Sequence, residues 1–280
     1  MKKDKTAPKI TGEKVLLLVL AGLWAVICLF PIWHLISATF SADSSNITTT
    51  FFPNSLTNGI DKLSYALNVA NILTAIRDTI LYTLVTLVGL VIISALLAYE
   101  FTFYQFPGRK LLYALLMGSM MLPLVLYIIP LYRFVFQIGL SDTLPGIALP
   151  MMVSPLAVFI LMSFLEDLPV SFIESARIDG AGHFKIFSAI VLPLMRNGLI
   201  TVTVIMFLRI WGSYLWPALI TGNKIHPLSV AISNMLSPNF YVDARVRIAS
   251  MLISMLPPAI IYLFFQRQVI EGMTMSGVKG

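Results

Sequence analysis

Charged residues are scarce in this 280-residue chain. They make up 11% of the sequence, against 58% hydrophobic residues. Soluble domains carry roughly one quarter charged residues, so this composition excludes an ordinary soluble domain and indicates a membrane protein. The sequence has one cysteine, Cys28, which lies inside the first apolar run. A single cysteine cannot form an internal disulfide, so it says nothing about the redox compartment.

Motifs for nucleotide, metal or acid–base chemistry are missing as well. No Gly-x-x-x-x-Gly-Lys-Ser/Thr phosphate loop occurs, so we do not expect this chain to bind ATP by itself. The three histidines, His34, His183 and His226, lie far apart and have no cysteine or carboxylate at ligand spacing, which argues against a metal site. Glu166 and Asp167 are adjacent and would point in different directions on a helix, so they do not form an acid–base pair.

Long apolar runs are what the sequence does contain. About 20 residues cross the hydrocarbon core of a bilayer. Six runs reach that length: Val15–Ala38, Thr79–Tyr99, Leu111–Tyr132, Thr143–Leu165, Gly198–Gly222 and Ile248–Gln266. The sequence therefore predicts an all-α polytopic membrane protein with six transmembrane helices. Residues 1–14 are interpreted as an N-terminal tail, residues 15–268 as the membrane domain and residues 269–280 as a C-terminal tail.

Prolines interrupt two of these runs. Pro123 and Pro130 lie in the third run, and Pro150 and Pro155 lie in the fourth. Each proline removes a backbone hydrogen bond, so we expect kinks in these two helices.

The basic residues indicate how the spans are oriented. An even number of spans places both termini on one side, and twelve of the nineteen lysines and arginines fall on that side. By the positive-inside rule, both termini are predicted to be cytoplasmic. The same asymmetry accounts for most of the net charge of +6, so no nucleic-acid partner is needed to explain it. The lipid bilayer is the partner that the composition predicts.

A polar stretch, Ser171–Pro193, separates the fourth and fifth runs on the predicted cytoplasmic side. Ser171 and Glu174 have capping-box spacing, which predicts a helix start. Gly180 and Gly182 supply the freedom to end a short helix and turn into a second one. Small or apolar residues recur at helical spacing and predict one continuous apolar stripe: Ile173, Ala176, Gly180, Phe184, Phe187 and Val191. We therefore expect a helix–turn–helix elbow outside the lipid.

The elbow resembles a known family signature. The residues that carry the likeness are Glu174, Ala176, Asp179, Gly180, Ala181, Phe187, Ile190, Leu192 and Pro193. They resemble the cytoplasmic EAA motif of binding-protein-dependent ABC importer permeases. Ser175 is the one departure, since the family usually has alanine there. The resemblance implies the type I ABC importer permease fold, with a coupling loop over residues 166–193. An amphipathic loop helix with chance spacing is the alternative.

Two further motifs resemble those of the carbohydrate-importing members of this family, in particular the smaller permease subunit of the maltose type. One is the turn Phe106-Pro107-Gly108-Arg109, for which a generic Pro-Gly turn remains an alternative. The other is the C-terminal sequence Gly272-Met273-Thr274 through Gly277-Val278-Lys279-Gly280. The resemblance implies transport of a carbohydrate such as an oligosaccharide, with no catalysis by this chain.

The resemblance also implies a division of labour among subunits. An ATP-binding cassette ATPase dimer would bind ATP and Mg²⁺, so this chain would hold no cofactor. The residues implied to couple this chain to the ATPase are Glu174, Ser175, Ala176, Arg177, Asp179, Gly180 and Ala181. A second, non-identical permease would complete the pore, and an extracytoplasmic binding protein would deliver the substrate. The implied location is the cytoplasmic membrane of a bacterium or archaeon.

One charged residue, Arg209, lies within the fifth apolar run. A charge in a span is expensive and usually faces a partner or a water-filled path. Trp211, Tyr214 and Trp216 follow it, and aromatic rings suit the faces and hydroxyls of sugars, so these four residues are candidates for the substrate path. Interfacial anchoring of the rings and pairing of Arg209 with a neighbouring subunit remain open.

Two other functions stay open on the sequence alone. Arg209 also fits import of an acidic sugar or sugar derivative, such as a uronate, a sialic acid or a glycerol phosphate ester. A polytopic membrane enzyme is the second alternative. It predicts clustered histidines or carboxylates within the spans, and the apolar runs contain one histidine, His34, and no interior acid.

Overall fold

The computed structural model describes residues 12–42, 51–69, 71–237 and 244–275. Within these ranges the chain is helical and has no strand. It divides into two units, Met1–Ala70 with Tyr241–Ile253, and Asn71–Phe240 with Ser254–Gly280. Most of the predicted N-terminal tail and the Gly277–Gly280 motif lie outside the described residues.

Fourteen α-helices follow one another along the described residues. The first are α1 to α7: Gly12–Thr39, Leu56–Val69, Ile72–Phe103, Arg109–Ser119, Leu124–Gln137, Leu144–Met151 and Pro155–Glu166. The next are α8 and α9, Ser171–Ile178 and His183–Ile186, followed by a π-helix, Phe187–Val191. The last are α10 to α14: Leu192–Leu194, Arg196–Trp211, Leu215–Ile220, Leu228–Met235 and Ala244–Met275.

Three helices are long and apolar enough to cross a membrane by themselves: α1, α3 and the Val246–Ile270 part of α14. Three bent pairs pass the same test of length and composition, which makes six spans if each pair counts as one. The prediction of an all-α membrane protein is therefore confirmed. Helix α14 continues to Met275, so residues 269–275 of the predicted C-terminal tail are helical.

The third, fourth and fifth predicted runs are not continuous helices, and here the sequence reading was too simple. Leu111–Tyr132 is divided between α4 and α5, which meet at 104°. Pro123 caps α5 in an extended conformation, which an uninterrupted helix could not accommodate. Thr143–Leu165 is divided between α6 and α7, which meet at 46°; Ser154 and Pro155 start α7.

The fifth run, Gly198–Gly222, is also interrupted. Helix α11 ends at Trp211, and α12 begins only at Leu215. Gly212, Ser213 and Tyr214 lie between the two helices. The expected kinks at Pro123 and Pro155 are confirmed, whereas Pro130 and Pro150 lie inside helices α5 and α6.

Helix α3 is the centre of the second unit. It packs against α6, α7, α11 and α13. Small side chains on α3 allow this close approach: Ala95 and Ala98 are buried, and a Cβ at Gly89 would lie 2.5 Å from the sulfur of Met152. Small residues at helix contacts are typical of membrane proteins, because lipid offers no hydrophobic drive to hold helices together.

The first unit is built around α1 and α2. The apolar central window of α1 has none of its residues buried in the described structure, as expected of a helix that faces lipid or another subunit. Lys62 of α2 donates hydrogen bonds to the carbonyl oxygens of Ala38 and Ser41, at 3.3 and 2.7 Å, and so satisfies acceptors at the end of α1. Ala66 of α2 packs with Val246 and Ala249 of α14.

The two ends of α3 differ, and we name them by their neighbours. The C-terminal end, at Phe103, adjoins helices α8 and α9 and is called the elbow end. The N-terminal end adjoins the segment 221–228 and is called the loop end. There Asp78 accepts a hydrogen bond from the N–H of His226 at 3.0 Å, and Thr79 accepts one from the N–H of Leu228 at 2.8 Å.

A second carboxylate, Asp142, holds the same segment at the loop end. Asp142 lies between α5 and α6 with a φ of 54°. It accepts hydrogen bonds at 2.8–3.3 Å from four successive backbone N–H groups, those of Gly222, Asn223, Lys224 and Ile225. Burial by itself would raise the pKa of Asp142, but these donors lower it below its ordinary value of 3.8. Its stabilising effect is therefore fully present above pH 3.8 and is lost only as the pH falls through the lower folded-state pKa.

Replacing Asp142 should release the segment that it holds. In Asp142→Ala the four N–H groups lose their acceptor, and cleavage by trypsin after Lys224 should become about tenfold faster, since roughly 1–3 kcal/mol of local stability is lost. Asp142→Asn tolerates the positive φ equally well but loses the charge and keeps only one of the two acceptor oxygens, so it should fall between Ala and wild type. Unchanged cleavage in Asp142→Ala, relative to the exposed control Asp167→Ala, would show that the segment is held by other contacts.

Candidate functional site

The elbow closes its first helix through a glycine in the left-handed region. Gly180 has a φ of 77°. The N–H of Ala181 donates to the carbonyl of Ala176 at 2.9 Å, and the N–H of Gly180 donates to the carbonyl of Arg177 at 3.0 Å. This pair of bonds is the Schellman motif, which satisfies the last carbonyls of α8. Gly182 instead has a φ of −72°, which any residue adopts.

The predicted capping box does not form. Helix α8 does begin at Ser171, but its N-cap is Val170, in helical conformation, and no side chain caps it. The carbonyls of Pro169 and Val170 accept from the N–H groups of Phe172 and Ile173 at 3.2 and 3.0 Å, so the helix starts from a tight turn. Ser171 is already the first helical residue and cannot act as the cap.

The predicted apolar stripe is confirmed on both sides of the turn but not at its centre. Ile173, Ala176, Phe187 and Val191 are buried. Phe184 is 79% exposed, which contradicts the prediction. The turn at Gly180 shifts the phase of the second helix, so that Ile186 is buried in place of Phe184.

Tyr104 joins the elbow to α3, and this contact was missed by the sequence reading. Tyr104 directly follows α3, and its hydroxyl lies 2.6 Å from that of Tyr99. The guanidinium of Arg177 stands over the Tyr104 ring, 4.6 Å from its centroid, and the ring of His183 stacks against it at 4.5 Å. Phe187 packs on Tyr99 at 5.3 Å. Residues of both elbow helices thus contact one ring, which lies directly after the C-terminal end of α3.

The Pro-Gly turn supports the same end of α3. Gly108 has a φ of 83°, which accounts for the glycine in the motif. The guanidinium of Arg109 donates from Nε to the carbonyl of Phe101 at 3.1 Å, and its Nη2 bonds the same oxygen. Phe106 packs against Phe101 with ring centroids 5.8 Å apart. Arg109 therefore caps the end of α3 just before Tyr104.

The face of α8 opposite its buried side is exposed and mixed in character. Glu174 and Ser175 lie on it, together with Ile178, which is 86% exposed. Among the predicted coupling residues, Arg177, Asp179 and Gly180 are also exposed, Ala181 is half-buried, and Ala176 is buried. Ala176 therefore contributes to packing and not to an exterior surface. Ile178 and Phe184 were absent from the predicted set, and both present large apolar side chains.

The elbow enters the next span through a π-turn. The N–H of Leu192 donates to the carbonyl of Phe187, five residues earlier, and Pro193 follows immediately. Pro193 in a regular α-helix would clash with the carbonyl of Ala189, and the wider turn relieves that clash. Residues His183–Leu194 and helix α11 then meet at 76°.

A cavity of about 400 Å³ lies where the three interrupted spans meet. Each interruption contributes residues to its wall: Ser119 and Leu122 from the first, Ser154 and Pro155 from the second, Ser213 and Trp216 from the third. Irregular backbone within a membrane span is tolerated where it lines a cavity. This cavity, which we call the central cavity, is therefore the strongest candidate for a binding site in the membrane domain.

The structure separates the four predicted substrate-path residues. Arg209 and Trp216 both line the central cavity, and Arg209 lies in the last turn of α11. Trp216 is buried and donates from Nε1 to the carbonyl of Ile147 at 3.2 Å. Trp211 and Tyr214 line two other pockets.

The last two side chains have partners of their own. Trp211 donates from Nε1 to the carbonyl of Ser254 at 3.1 Å, and the hydroxyl of Tyr214 accepts from Ser233 at 3.1 Å. The sequence spacing gave no sign that the helix would be interrupted between them. Among the described residues, no group of three or more histidines, cysteines or carboxylates could hold a metal ion.

Comparison with known proteins shows which family and which relatives this chain is similar to. Residues 90–275 match the family described as "Binding-protein-dependent transport system inner membrane component". The arabinooligosaccharides transport system permease protein AraQ of Halalkalibacterium halodurans is 30% identical over 284 residues, which covers 99% of this chain and 100% of that protein. The sn-glycerol-3-phosphate transport system permease protein UgpE of Yersinia pestis is 36% identical over 191 residues, 68% of each chain.

A solved structure has the same fold. It belongs to a bacterial ABC transporter involved in the import of the acidic polysaccharide alginate. The TM-score is 0.80 at 23% identity, over 90% of this chain and 95% of that one. The expected type I ABC importer permease fold is therefore confirmed.

The two elbow glycines provide a matched pair of variants. A Cβ at Gly180 or Gly182 would meet no atom within 4 Å, so only the φ of 77° distinguishes them. Gly180→Ala should destabilise the elbow by about 1 kcal/mol, and amide exchange over residues 171–187 should become about fivefold faster. Gly182→Ala should exchange like wild type. Equal exchange in the two variants would refute the role given to the left-handed turn.

Proposed function

Because this chain belongs to the family of inner membrane components of binding-protein-dependent transport systems, as a multi-pass permease subunit and not an enzyme, we propose that it imports a carbohydrate. It would form one half of the translocation pathway and would couple to ATP hydrolysis in separate subunits. The single observation that carries the coupling role is the elbow, which packs against the C-terminal end of α3 and exposes an apolar surface flanked by charged residues.

The carbohydrate class is supported by sequence likeness along the whole chain. AraQ, named for arabinooligosaccharide transport, covers 99% of this sequence, and the Phe106–Arg109 turn resembles that of carbohydrate importers. An oligosaccharide is therefore the proposed substrate. The relatives named for sn-glycerol-3-phosphate transport support the second candidate, an acidic sugar derivative.

The proposed docking surface for the ATPase is the exposed face of α8 and the adjoining turn. Ile178 gives this surface an apolar centre, and Glu174 and Asp179 flank it with negative charge. Phe172, Ile178 and Phe184 of the elbow are each more than half exposed. Several large apolar side chains exposed in one short segment suggest a surface that a partner covers. A buried apolar anchor surrounded by polar groups is also how protein interfaces obtain most of their binding energy.

Movement of the docked elbow would reach the membrane helices through Tyr104. Arg177 and His183 hold this ring from the two elbow helices, and α3 then contacts α6, α7, α11 and α13. Closure of an ATPase dimer, which would bind ATP and Mg²⁺, would thereby move several membrane helices together. Rigid-body movement of this kind is the basis of alternating access.

The remaining partners are proposed from the same family membership. A second, non-identical permease would cover apolar helix faces that are exposed in the isolated chain. An extracytoplasmic binding protein would meet the loop end, where Asp78 and Asp142 hold segment 221–228 in place. The elbow end would then be cytoplasmic, as the distribution of basic residues predicts. The location would be the cytoplasmic membrane of a bacterium or archaeon.

Ile178→Glu tests the docking surface and the transport function together. The complex with the second permease, the ATPases and the binding protein is reconstituted in liposomes, and ATP-dependent uptake of a labelled arabinose oligosaccharide is measured. Wild type should import it. Ile178→Glu should lose at least about tenfold in both uptake and ATPase co-purification, since a buried unpaired charge costs several kcal/mol at an interface.

Ile178→Met is the control, because it keeps an apolar side chain of similar size and should retain both activities. Wild-type uptake by Ile178→Glu would remove the docking role of α8. Failure of the wild-type complex to import any neutral or acidic carbohydrate would instead refute the proposed substrate class.

A further inference from the structure

Helix α14 contains two successive prolines near its middle, Pro257 and Pro258. Proline has no backbone N–H, so the carbonyls four residues earlier, those of Ile253 and Ser254, lose their α-helical donors. Prolines are also the commonest cause of a bend in a long helix. The chain passes from the first unit to the second between Ile253 and Ser254, one turn before the prolines. Residues 253–258 are therefore the place where α14 can act as a hinge.

Trp211 supplies a donor to one of these two carbonyls. Its Nε1 donates to the carbonyl of Ser254 at 3.1 Å. The indole is buried and stacks on Phe207, one turn earlier in α11, with ring centroids 5.6 Å apart. Prolines are tolerated in membrane helices because neighbouring helices satisfy the backbone groups that they free. Trp211 therefore takes the place of the N–H that is missing at Pro258, and it joins the end of α11 to α14.

Open space adjoins this hydrogen bond. A cavity of about 360 Å³, which shares no lining residue with the central cavity, is lined by Trp211 and Gly212 at the end of α11 and by Ser254 and Pro258 of α14. Close-packed protein interiors resist displacement, because neighbouring side chains must move together. Residues beside a cavity can shift into it, so α14 can bend at the prolines without displacing packed side chains.

A fixed bond that only satisfies a buried carbonyl is the simplest role for Trp211. That role explains the hydrogen bond but not the cavity beside it. It also leaves unexplained why Trp211 is the last residue of α11, the helix that begins at Arg196 just after the elbow. Because a rigid helix carries a displacement along its length, movement of the elbow that is passed to α11 arrives at this bond.

We propose that Trp211 is a latch on a hinge in α14, closed in this structure and opened when the elbow moves during the transport cycle. Trp211 is a positioning residue in this scheme, because it acts on α14 through one hydrogen bond and not on the substrate. The inference rests on the proposed function for the movement of the elbow, and on the geometry alone for the latch. It gives Trp211 a role different from the substrate contact expected from the sequence.

Amide hydrogen exchange, measured on the complex with the second permease and the ATPases, tests the latch with the two prolines as a matched pair. Trp211→Phe keeps an aromatic ring but removes the donor, so exchange over residues 250–262 should become about fivefold faster. Pro258→Ala restores the helical donor to the carbonyl that Trp211 contacts, and adding Trp211→Phe to it should change exchange by less than about twofold. Pro257→Ala restores the donor to the preceding carbonyl instead. It is the control, and adding Trp211→Phe to it should still give the full increase.

The nucleotide state of the ATPases tests whether the latch moves. In wild type, exchange over residues 250–262 should differ about fivefold between the nucleotide-free complex and the complex trapped with ATP and vanadate, since the bond is made in one state and broken in the other. In Trp211→Phe the bond is absent in both states, so both should exchange at the faster of the two wild-type rates. A merely structural bond would give wild-type exchange that does not depend on nucleotide.

Three results would overturn the proposal. The first is equal exchange in wild type and Trp211→Phe, which would show that the bond does not hold the turn. The second is a full increase when Trp211→Phe is added to Pro258→Ala, which would show that the indole does not replace the missing donor. The third is wild-type exchange that is the same with and without nucleotide in a complex that hydrolyses ATP. None of these results requires an imported substrate, so failure of the latch and failure of the proposed substrate class are distinguishable.

Discussion

The contact on which the rest of the structure depends is that of one tyrosine ring, Tyr104, with the two elbow helices. Arg177 covers the ring at 4.6 Å and His183 stacks on it at 4.5 Å, while Tyr99 holds its hydroxyl. Arg177 is exposed, so this cation–π contact contributes about 0.5–1 kcal/mol. The elbow is short and has little core of its own, so without this ring it would be joined to α3 mainly by the packing of Ile173, Ala176 and Phe187. Coupling between the elbow and the membrane helices requires a joint that transmits force, and this joint has contacts on both sides of the turn.

The broken spans give the membrane domain its second defining feature. Three of the predicted spans are interrupted, between α4 and α5, between α6 and α7, and between α11 and α12, and residues at each of these interruptions line one cavity. In continuous helices every backbone group would be hydrogen-bonded within its helix, and the backbone would add no polar groups to the cavity wall. The interruptions at Pro123, Ser154 and Ser213 instead bring helix ends and hydroxyl groups to the wall of the central cavity. The elbow is continuous in sequence with one of these interrupted spans, through the π-turn before Pro193. A displacement of the elbow can therefore reach the cavity by two routes. One is the covalent connection to α11, and the other is the packing contact with α3.

Sequence patterns predicted those features that depend on local chemistry. Apolar runs predicted the helical membrane fold, and Gly180 predicted the turn, because glycine adopts a positive φ more readily than residues with a Cβ. Proline predicted the breaks at Pro123 and Pro155, but nothing local predicted the break at Gly212, which depends on how α11 and α12 pack. The exposed Phe184 was assigned to the wrong face because periodicity cannot follow a phase change at a turn. The carboxylates Asp78 and Asp142 bond backbone groups that are distant in sequence, 148 and 80 residues away at His226 and Gly222, and no spacing rule could pair them.

The most direct measurement of the central claim is the coupling ratio of Tyr104 variants, the carbohydrate imported per ATP hydrolysed in the reconstituted complex. Tyr104→Ala removes the ring, and the account predicts that the ATPase stays bound and active while the ratio falls about tenfold, because movement of the elbow no longer reaches α3. Tyr104→Phe keeps the ring and should keep most of the coupling. A Tyr104→Ala complex that imports as much per ATP as wild type would contradict the account.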